Sequence, residues 1–297
     1  MMAPDELKAY CAQQAASELA TSKPAGPVRV VAALATGWTP IFNPMNTETP
    51  PEKPLGQKAY GSIPHLPGSR RGPADKGLSD QQAAICTHKA RDRHDVIIVQ
   101  EKLDGSNCSV AKLNGEIIAL GRAGYRAATS KYEQHIYFAQ WVEANRDRFA
   151  ALLEEGERCC GEWLAQAHGT RYALTHEPYV IFDLMRGVTR QPWETVKTRC
   201  AGFVLPSTLH VGGPLAIEAA VAMLEPSAHG ALDPVEGAVW RVERRGVVDF
   251  LGKYVRPGKV DGWLLPEING GVTTWNWQPA LSNIAGQQTQ PPASANH

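Results

Sequence analysis

Two β-hairpins constrain the fold of this chain more than any other sequence feature. Cys108–Leu113 and Ile117–Leu120 flank Asn114-Gly115, a residue pair that favours a type I′ turn. The sequence predicts a second hairpin further along, from two strands and their turn at Gly237–Glu243, Val247–Val255 and Arg244–Gly246. Strands that follow each other in hairpins pair antiparallel, so the chain is predicted to be α+β with antiparallel sheets rather than a doubly wound parallel sheet.

The remaining elements agree with this fold class. Lys131–Glu155 has the longest helical pattern, with Gly156 as its predicted end. A second helix is predicted over Pro214–Leu224, with proline in its first turn. Three further strands, and one helix near the N-terminus, are predicted at Val96–Val99, Arg158–Leu164, Tyr179–Met185 and Asp5–Leu19. The segment 287–297 is polar and aperiodic, which predicts disorder.

Composition narrows the function classes. Thirty basic residues balance thirty acidic ones, which disfavours a protein that coats nucleic acid or an anionic membrane. No apolar run approaches the roughly 20 residues that span a bilayer. Six cysteines without a CxxC pair predict neither a disulfide scaffold nor a zinc site, so we expect reduced thiols and a cytoplasmic protein.

One ordered series of short motifs carries the chemistry. It starts with Lys102-Leu103-Asp104-Gly105, a KxDG sequence at the end of a predicted strand. By itself such a junction is also what an ordinary strand-to-turn transition looks like. The motifs that follow in order are Arg122-x-Gly124, Gly161-Glu162-Trp163, Phe182, Glu236-Gly237 and Lys253.

This series resembles the motifs of the covalent nucleotidyltransferases, the superfamily of ATP-dependent DNA and RNA ligases and mRNA capping enzymes. The form of the KxDG motif, the Arg122-x-Gly124 step and the upstream segment Ile63–Arg70 are most similar to the RNA ligase branch. The resemblance spans Tyr60–Pro257, about two thirds of the chain. It implies a nucleotidyltransferase domain of antiparallel sheets flanked by helices.

The resemblance implies that Lys102 is the nucleophile that attacks the α-phosphorus of ATP. A lysine with an ordinary pKa near 10.4 is more than about 99% protonated at pH 7. Keeping its amine neutral therefore requires about 3 pH units, or about 4 kcal/mol, from the surroundings. We expect bound Mg²⁺, Lys253 and Arg122 to disfavour the protonated form and to stabilise charge on the phosphate.

Other roles follow from the same resemblance. Glu101 would read the adenine through its backbone, and Phe182, which could equally be a core residue, would stack on the base. Glu162 would contact the ribose or a metal-bound water, and Asn107 would contact the phosphates. The implied metal ligands for Mg²⁺ or Mn²⁺ are Glu236 and Asp104.

Two departures from the family pattern matter. Many ligases have two lysines separated by one residue in the last motif, whereas Val255 occupies the second position here. Arg256 is a weak substitute because strand alternation turns it to the opposite face.

Only 40 residues follow Pro257, too few for the accessory domain that helps to expel pyrophosphate. We therefore expect the loop 63–76 to hold the outer phosphates or RNA through His65, Arg70 and Arg71.

The sequence thus predicts an ATP-dependent RNA ligase that seals 5′-phosphate and 3′-hydroxyl ends through lysyl-AMP. Its partners would be ATP and RNA ends or nicks, without a membrane or an obligate protein partner.

Six basic and two acidic residues in Trp240–Lys259 predict a local nucleic-acid face. The predicted organisation is an N-terminal extension (1–57), the adenylyltransferase domain (58–262) and a partly disordered tail (263–297).

Three alternatives stay open at this point. A minimal DNA ligase would carry the same motifs, and a capping-type guanylyltransferase would differ mainly in its accessory domain. A non-catalytic RNA-binding module could keep the fold without turnover, although it would not need Lys102, Glu162 and Glu236 together. Labelling with radioactive ATP separates the enzymes from the binding module.

Overall fold

The computed structural model describes residues 53–277, which contain nine strands and five α-helices. The strands are β1 Asp95–Lys102, β2 Ser106–Leu113, β3 Glu116–Gly121, β4 Glu157–Trp163, β5 Tyr179–Arg186, β6 Thr189–Arg190, β7 Thr208–Gly212, β8 Gly237–Arg244 and β9 Val247–Val255. The helices are α1 Asp80–Thr87, α2 Glu133–Ala144, α3 Arg146–Leu152, α4 Trp193–Arg199 and α5 Ile217–Ala222, with a 3₁₀ turn at Ala127–Thr129. The predicted N-terminal helix and the segment 287–297 lie outside these residues.

The strands form two antiparallel sheets, which confirms the predicted α+β class. The first sheet has the order β7-β1-β8-β9, and the second has the order β3-β2-β4-β5-β6. The chain crosses from the first sheet to the second between β1 and β2, in the three residues 103–105. The KxDG motif therefore lies where one sheet gives way to the other.

Both predicted hairpins form. Asn114 and Gly115 have φ values of 51° and 75°, the left-handed conformation that a type I′ turn requires at both positions. Arg245 and Gly246 adopt the same conformation between β8 and β9, with φ values of 52° and 76°. These turns set the register, so that Leu113 pairs with Glu116 and Arg244 pairs with Val247.

Each sheet covers a separate core. The second sheet packs against α2, α3 and α4 through large aromatic side chains, among them Phe138, Trp141, Phe149, Trp163 and Tyr179. The first sheet packs against α1 and α5 through a smaller set that includes Ile97, Val99, Trp240, Leu224 and Cys86. The faces that carry the candidate site lie between these two cores, where both sheets contribute side chains.

Two helix predictions need correction. The single helix predicted over Lys131–Glu155 is two helices, because Asn145 leaves the helical conformation (φ −113°, ψ 18°). Its side chain donates to the Trp141 carbonyl oxygen at 2.9 Å at the end of the first helix. The helix predicted from Pro214 begins at Ile217 instead. The backbone before it is held elsewhere, since Leu215 N–H donates to the Cys86 carbonyl at 3.0 Å.

The segment that follows β9 packs on the domain. Leu264 N–H donates to the carbonyl oxygen of His168 at 2.8 Å, and Asn276 binds the chain around Leu164 through its backbone and side chain. Trp275 and Trp277 pack against the core of the second sheet. Residues 263–277 of the predicted tail are therefore attached to the domain, while the predicted disorder beyond residue 277 lies outside the described residues.

Within residues 53–277 the five cysteines are free and buried, and none forms a disulfide. None of the helices in that range has the length and apolar character needed to cross a bilayer.

Candidate active site

A cavity of about 860 Å³ opens between the two sheets. β1 and β8–β9 supply one wall, and β2, β4 and β5 supply the other. Nine residues predicted to bind ATP or metal line it: Glu101, Lys102, Asp104, Asn107, Arg122, Glu162, Phe182, Glu236 and Lys253. The structure thus brings together residues that are separated by up to 152 positions in the sequence.

Lys102 lies at the end of β1, and its amine reaches into the cavity. Its Nζ atom lies 2.6 Å from Oε2 of Glu236, and the two side chains are 21% and 8% exposed. Burial would lower the pKa of Lys102, but the carboxylates of Glu236, Glu162 and Asp104 together raise the pKa above its ordinary value. These carboxylates therefore favour the ammonium form, so the protein's own side chains do not provide the neutral amine that the sequence led us to expect.

Glu162 faces the same amine from β4. Its Oε1 atom accepts a hydrogen bond from Gly105 N–H at 3.1 Å, which ties the carboxylate to the KxDG turn. Burial raises the pKa of Glu162 to about 7, against the opposing effect of Lys102.

Asn107 lies opposite Glu162 in the β2–β4 ladder, and its buried Oδ1 has no hydrogen-bond partner among the described residues. An unpaired buried acceptor is costly, so this atom is available to a ligand.

Glycine is required at two positions of the motifs for steric reasons. A Cβ atom on Gly105 would lie 2.4 Å from the carbonyl oxygen of Trp163, and one on Gly237 would lie 1.9 Å from that of Tyr254. Both distances are shorter than a real side chain permits. The close approach of these backbones places Lys102 and Glu236 beside each other.

Phe182 projects from β5 into the cavity and is only partly buried. Its ring contacts the ring of Tyr60 edge-on, with centroids 5.1 Å apart. The Tyr60 hydroxyl in turn donates to Asp183 Oδ2 at 2.7 Å. The orientation of Phe182 is thus supported from one side, and the other side of the ring faces the cavity.

Two cations in the cavity come from β9 and from the residue that follows β3. Lys253 is held in β9, and its backbone also binds Pro64 and Leu66 at 2.9 and 2.8 Å. Burial and the nearby Lys102 lower the pKa of Lys253. Arg122 is exposed and donates to Ser62 Oγ at 3.0 Å.

Sequence reasoning missed Lys259, which binds the aspartate of the KxDG motif. Its Nζ atom lies 2.5 Å from Asp104 Oδ2, and the two side chains are 7% and 12% exposed. The same oxygen accepts Gly169 N–H at 2.9 Å. No local pattern indicates this pair, because 155 residues separate its members.

A second missed group joins the sheets behind Phe182. Arg241 of β8 donates two hydrogen bonds to Asp183 of β5, at 2.8 and 2.6 Å, and both side chains are almost fully buried. Arg190 and Tyr60 complete the partners of this carboxylate. This ion pair connects the two sheets directly, since β8 and β5 belong to different sheets.

Four predicted contact residues do not line the cavity. His65 is 3% exposed and binds Ser69 Oγ at 2.7 Å, and burial together with Lys253 lowers its pKa. Arg70 pairs with Asp261, a residue that does line the cavity. Arg71 lies against Gly77. Arg256 follows β9 and points toward Glu225, at 3.4 Å, as strand alternation predicts.

The predicted nucleic-acid face over Trp240–Lys259 is wrong as a single basic surface. Arg241 is buried with Asp183, and Lys259 is buried with Asp104. Arg244 forms ion pairs with Asp92 and Asp95 on the outer side of the first sheet. Counting charges along a hairpin overlooked the alternation of side chains between two faces and their local pairing.

Two of the three carboxylates near Lys102 are suited to bind a divalent cation. No group of three or more His, Cys, Asp or Glu residues within 53–277 could hold a metal ion by itself. Mg²⁺ needs fewer protein ligands, since it is usually bound by one or two carboxylates together with substrate phosphates and water. Glu236 and Glu162 fit that pattern beside Lys102, whereas the Asp104 carboxylate is already held by Lys259 and Gly169.

A lysine at the end of a strand thus faces carboxylates across a cavity, which is the arrangement expected from the motif series of the covalent nucleotidyltransferases. The chain belongs to the RNA ligase family, whose family model matches residues 95–255. This match runs from the first residue of β1 to the last residue of β9.

Solved structures with a similar fold are distant. An archaeal ATP-dependent RNA ligase has 20% identity and a TM-score of 0.37, over 55% of this chain and 43% of that chain. A point mutant of the Naegleria gruberi RNA ligase with AMP and Mn has 14% identity and a TM-score of 0.46, over 65% and 59%. A putative ATP-dependent DNA ligase from Aquifex aeolicus has 15% identity and a TM-score of 0.35, over 54% and 44%.

This chain therefore spans 43% of the length of the archaeal ligase and 59% of the length of the Naegleria gruberi ligase. A search of curated proteins finds no match.

Proposed function

We propose that this chain is an ATP-dependent RNA ligase that joins 5′-phosphate and 3′-hydroxyl RNA ends through a lysyl-AMP intermediate. The observation that carries the proposal is the position of Lys102. The lysine of the KxDG motif, within the region that matches the RNA ligase family, ends in a cavity 2.6 Å from Glu236 and facing Glu162. Neither a buried structural lysine nor an RNA-binding surface requires that arrangement.

In the first step, Lys102 separates from Glu236 and releases its ammonium proton to solvent water, and the lone pair of Nζ then attacks the α-phosphorus of ATP. A bond forms between Nζ and phosphorus, while the bond from phosphorus to the bridging oxygen breaks and its electrons leave with pyrophosphate. Lys253, in the same cavity, stabilises the negative charge that develops on the α-phosphate oxygens. Lys102 therefore acts as the nucleophile, and Lys253 acts as a catalytic cation.

The cavity walls provide contacts for the rest of the nucleotide. Phe182 stacks on the adenine, and the backbone at Glu101 reads its edge. Glu162 accepts from the ribose. The polar groups left for the phosphates are Asn107 and Arg122, which line the cavity together with these residues.

A divalent cation, Mg²⁺ or Mn²⁺, would supply Lewis-acid stabilisation of the phosphates when bound. Glu236 would hold this cation. Burial raises the pKa of Glu236, and the nearby charge of Asp104 raises it further. The Asp104 carboxylate therefore makes the electrostatic potential at the site more negative, which favours a cation. Release of Lys102 from Glu236 is then required for both groups to act.

We place the outer phosphates of ATP, or the RNA backbone, against the loop 63–76. Arg70 lies at the rim through its pair with Asp261, and Arg71 follows it in the chain. His65 orders this loop through Ser69, and Arg256 is the more distant cation. Normal formation of lysyl-AMP by an Arg70→Ala/Arg71→Ala variant would exclude contact with the outer phosphates.

In the second and third steps, AMP passes from Lys102 to the 5′-phosphate, and a 3′-hydroxyl attacks that phosphate and releases AMP. The domain that does this would comprise residues 58–262, with 1–57 as an extension and 263–297 as a tail. No obligate protein partner and a cytoplasmic location are part of the same proposal.

A ligation panel tests the function. A radiolabelled 5′-phosphate RNA is offered with ATP and Mg²⁺, either as a nick or as free ends, and with an RNA or a DNA strand that carries the 3′-hydroxyl. We expect sealing with the RNA 3′-hydroxyl strand and none by Lys102→Ala. Better sealing of the DNA strand would indicate a DNA ligase. RNA binding without ligation or lysyl-AMP would indicate a binding module.

A further inference from the structure

The mouth of the cavity carries exposed aromatic rings that the proposed chemistry does not use. Tyr125 and Tyr132 are 38% and 39% exposed, and both line the cavity that holds Lys102. Ile268, which is 65% exposed, lines it from the segment after β9. Large apolar side chains are seldom left exposed around one opening unless something binds there.

Each of these tyrosines has a lysine over its ring. The Lys53 ammonium lies 4.9 Å from the centroid of Tyr125, and the Lys131 ammonium lies 5.1 Å from that of Tyr132. Other cation–π pairs among residues 53–277 have buried or half-buried rings, as at Tyr60 and Phe203. The two lysine–tyrosine pairs therefore combine an accessible flat ring with a positive charge in the same place.

The mouth is connected to the KxDG motif through one histidine. His135 hydrogen bonds to Ser106 Oγ at 2.8 Å and to Ser130 Oγ at 2.9 Å, and its ring contacts Tyr132 edge-on. Ser106 lies four residues after Lys102. A ligand that stacks on Tyr132 would thus lie next to the turn that carries the nucleophile.

The cavity is large enough for a nucleotide and a second group. Its volume of about 860 Å³ is near the upper end of the roughly 300–1,000 Å³ that is typical of small-ligand pockets. Most residues proposed to contact ATP lie in strands, and Arg122 and Glu236 lie directly next to a strand end. Tyr125 and Tyr132 instead flank the 3₁₀ turn that follows β3. The mouth is therefore free to take the second substrate while nucleotide occupies the inner end.

We propose that Lys53–Tyr125 and Lys131–Tyr132 form a stacking platform for the terminal, single-stranded nucleotides of the RNA end that receives AMP. Aromatic rings stack on any base, and neighbouring cations bind the backbone phosphates, which is how single-stranded nucleic acid is held without sequence preference. The platform rests on the proposed function, because it names where the RNA of that reaction binds. It also replaces the basic surface that the sequence predicted on β8 and β9.

The test measures RNA binding and adenylylation separately in the full chain. Binding is measured by fluorescence anisotropy, in EDTA and without ATP, with a single-stranded RNA 12-mer that carries a 5′-phosphate and a 3′ fluorophore. Lysyl-AMP formation is measured with radioactive ATP and Mg²⁺ in the absence of RNA. The variants are Tyr125→Ala/Tyr132→Ala, the conservative Tyr125→Phe/Tyr132→Phe, and Val188→Ala as a control for loss of an exposed apolar side chain away from the cavity.

We expect the double alanine variant to bind the RNA about 5- to 100-fold more weakly, since stacking on one ring changes affinity by that order. The double phenylalanine variant keeps both rings and should stay within about twofold of wild type, as should Val188→Ala. Lysyl-AMP formation should be the same in all four proteins. Removing the charges through Lys53→Met/Lys131→Met should lower the slope of log Kd against log salt by about 1.4, for two phosphate contacts.

Wild-type RNA affinity in the double alanine variant overturns the platform, and so does an equal loss of affinity in Val188→Ala. A loss of adenylylation that matches the loss of RNA binding also overturns it, because the rings would then serve the nucleotide. Absence of lysyl-AMP in the wild type would instead contradict the proposed function. The binding measurement still reports on the platform in that case, because it needs neither ATP nor metal.

Discussion

The inner end of the cavity and its mouth are built from opposite kinds of residue. At the inner end, charged side chains are buried and paired with each other, as Lys102 is with Glu236 and Lys259 is with Asp104. At the mouth, Tyr125 and Tyr132 are exposed, and each has a lysine ammonium over its ring. The inner end is therefore suited to a small, highly charged ligand, and the mouth to a flat, extended one.

The free-energy cost of burying charged side chains at the inner end supports a functional role for them. Burying a charge is expensive, and replacing a buried ion pair by apolar residues is often neutral or stabilising. The pairs at Lys102 and Lys259 therefore contribute little net stability that apolar packing could not provide. They do keep carboxylates and amines at fixed positions until a nucleotide competes for them.

The largest expected effect concerns the charge at the inner end. Lys253→Ala should slow lysyl-AMP formation by about 10²- to 10³-fold, the usual result of removing one group that stabilises a developing negative charge. Arg245→Ala, in the β8–β9 turn, is the matched control for loss of a cation and should form lysyl-AMP at the wild-type rate. The rate is measured by rapid quench with radioactive ATP. Equal rates for Lys253→Ala and wild type would remove Lys253 from the chemistry.

Next in size is the effect of the Lys259–Asp104 pair on folding. Lys259→Met leaves a buried carboxylate unpaired and should lower the free energy of unfolding by about 3 kcal/mol. Asp104→Asn in the same chain should recover part of the loss. Lys197→Met breaks an exposed pair with Glu194 and should cost about 0–1 kcal/mol. Urea unfolding measures all three, and equal losses for Lys259→Met and Lys197→Met would contradict a buried pair.

The sequence predicts the inner end better than the mouth, for a physical reason. Lys102, Glu162 and Glu236 each lie in a short local motif that contains a glycine, and this glycine permits close approach of the backbones. The two hairpins are also local, because Asn114-Gly115 and Arg245-Gly246 determine their own turns. Lys259, Tyr125 and Tyr132 have no such local motif. Their roles depend on the folded structure, which places Lys259 against Asp104 and puts both tyrosines at one opening.

The helices show the same limit. Periodicity over Lys131–Glu155 predicted one helix, because it records which residues are apolar and not what the Asn145 side chain binds. The helix Asp80–Thr87 was missed, although its start is a local capping box between Ser79 and Gln82. A search for capping residues would have found it.

A smaller effect is expected where adenine would bind between the two ends of the cavity. Phe182→Ala should raise the KM for ATP in lysyl-AMP formation by about 5- to 100-fold, since the ring would no longer stack on the base. Phe182→Tyr keeps the ring and should stay within about twofold. If both variants have the wild-type KM, Phe182 is a core residue only.

The smallest effect concerns a histidine pair behind Glu101. His229 Nδ1 lies 3.0 Å from His176 Nε2, and burial, with a further contribution from His176, lowers the pKa of His229 to about 4. A depressed pKa means that the folded state favours neutral His229. Its contribution to stability is present above about pH 6.5 and is lost as the pH falls toward 4.

Between pH 7.5 and pH 5, His229 should therefore account for about 1–2 kcal/mol of lost unfolding free energy. Urea unfolding at the two pH values measures this loss, and His229→Gln should show a smaller one. An identical pH dependence in the variant would show that other groups titrate. The control is needed because carboxylates elsewhere also change charge in that range.

The central claim is that Lys102 takes up AMP, and mapping the adduct tests it most directly. The full chain is incubated with ATP and Mg²⁺ in the absence of RNA and digested, and its peptides are analysed by mass spectrometry. The account predicts AMP on the peptide that contains Lys102, attached through an acid-labile phosphoramidate bond, and none in Lys102→Ala. AMP attached to another residue, or no adduct with either Mg²⁺ or Mn²⁺, would contradict it.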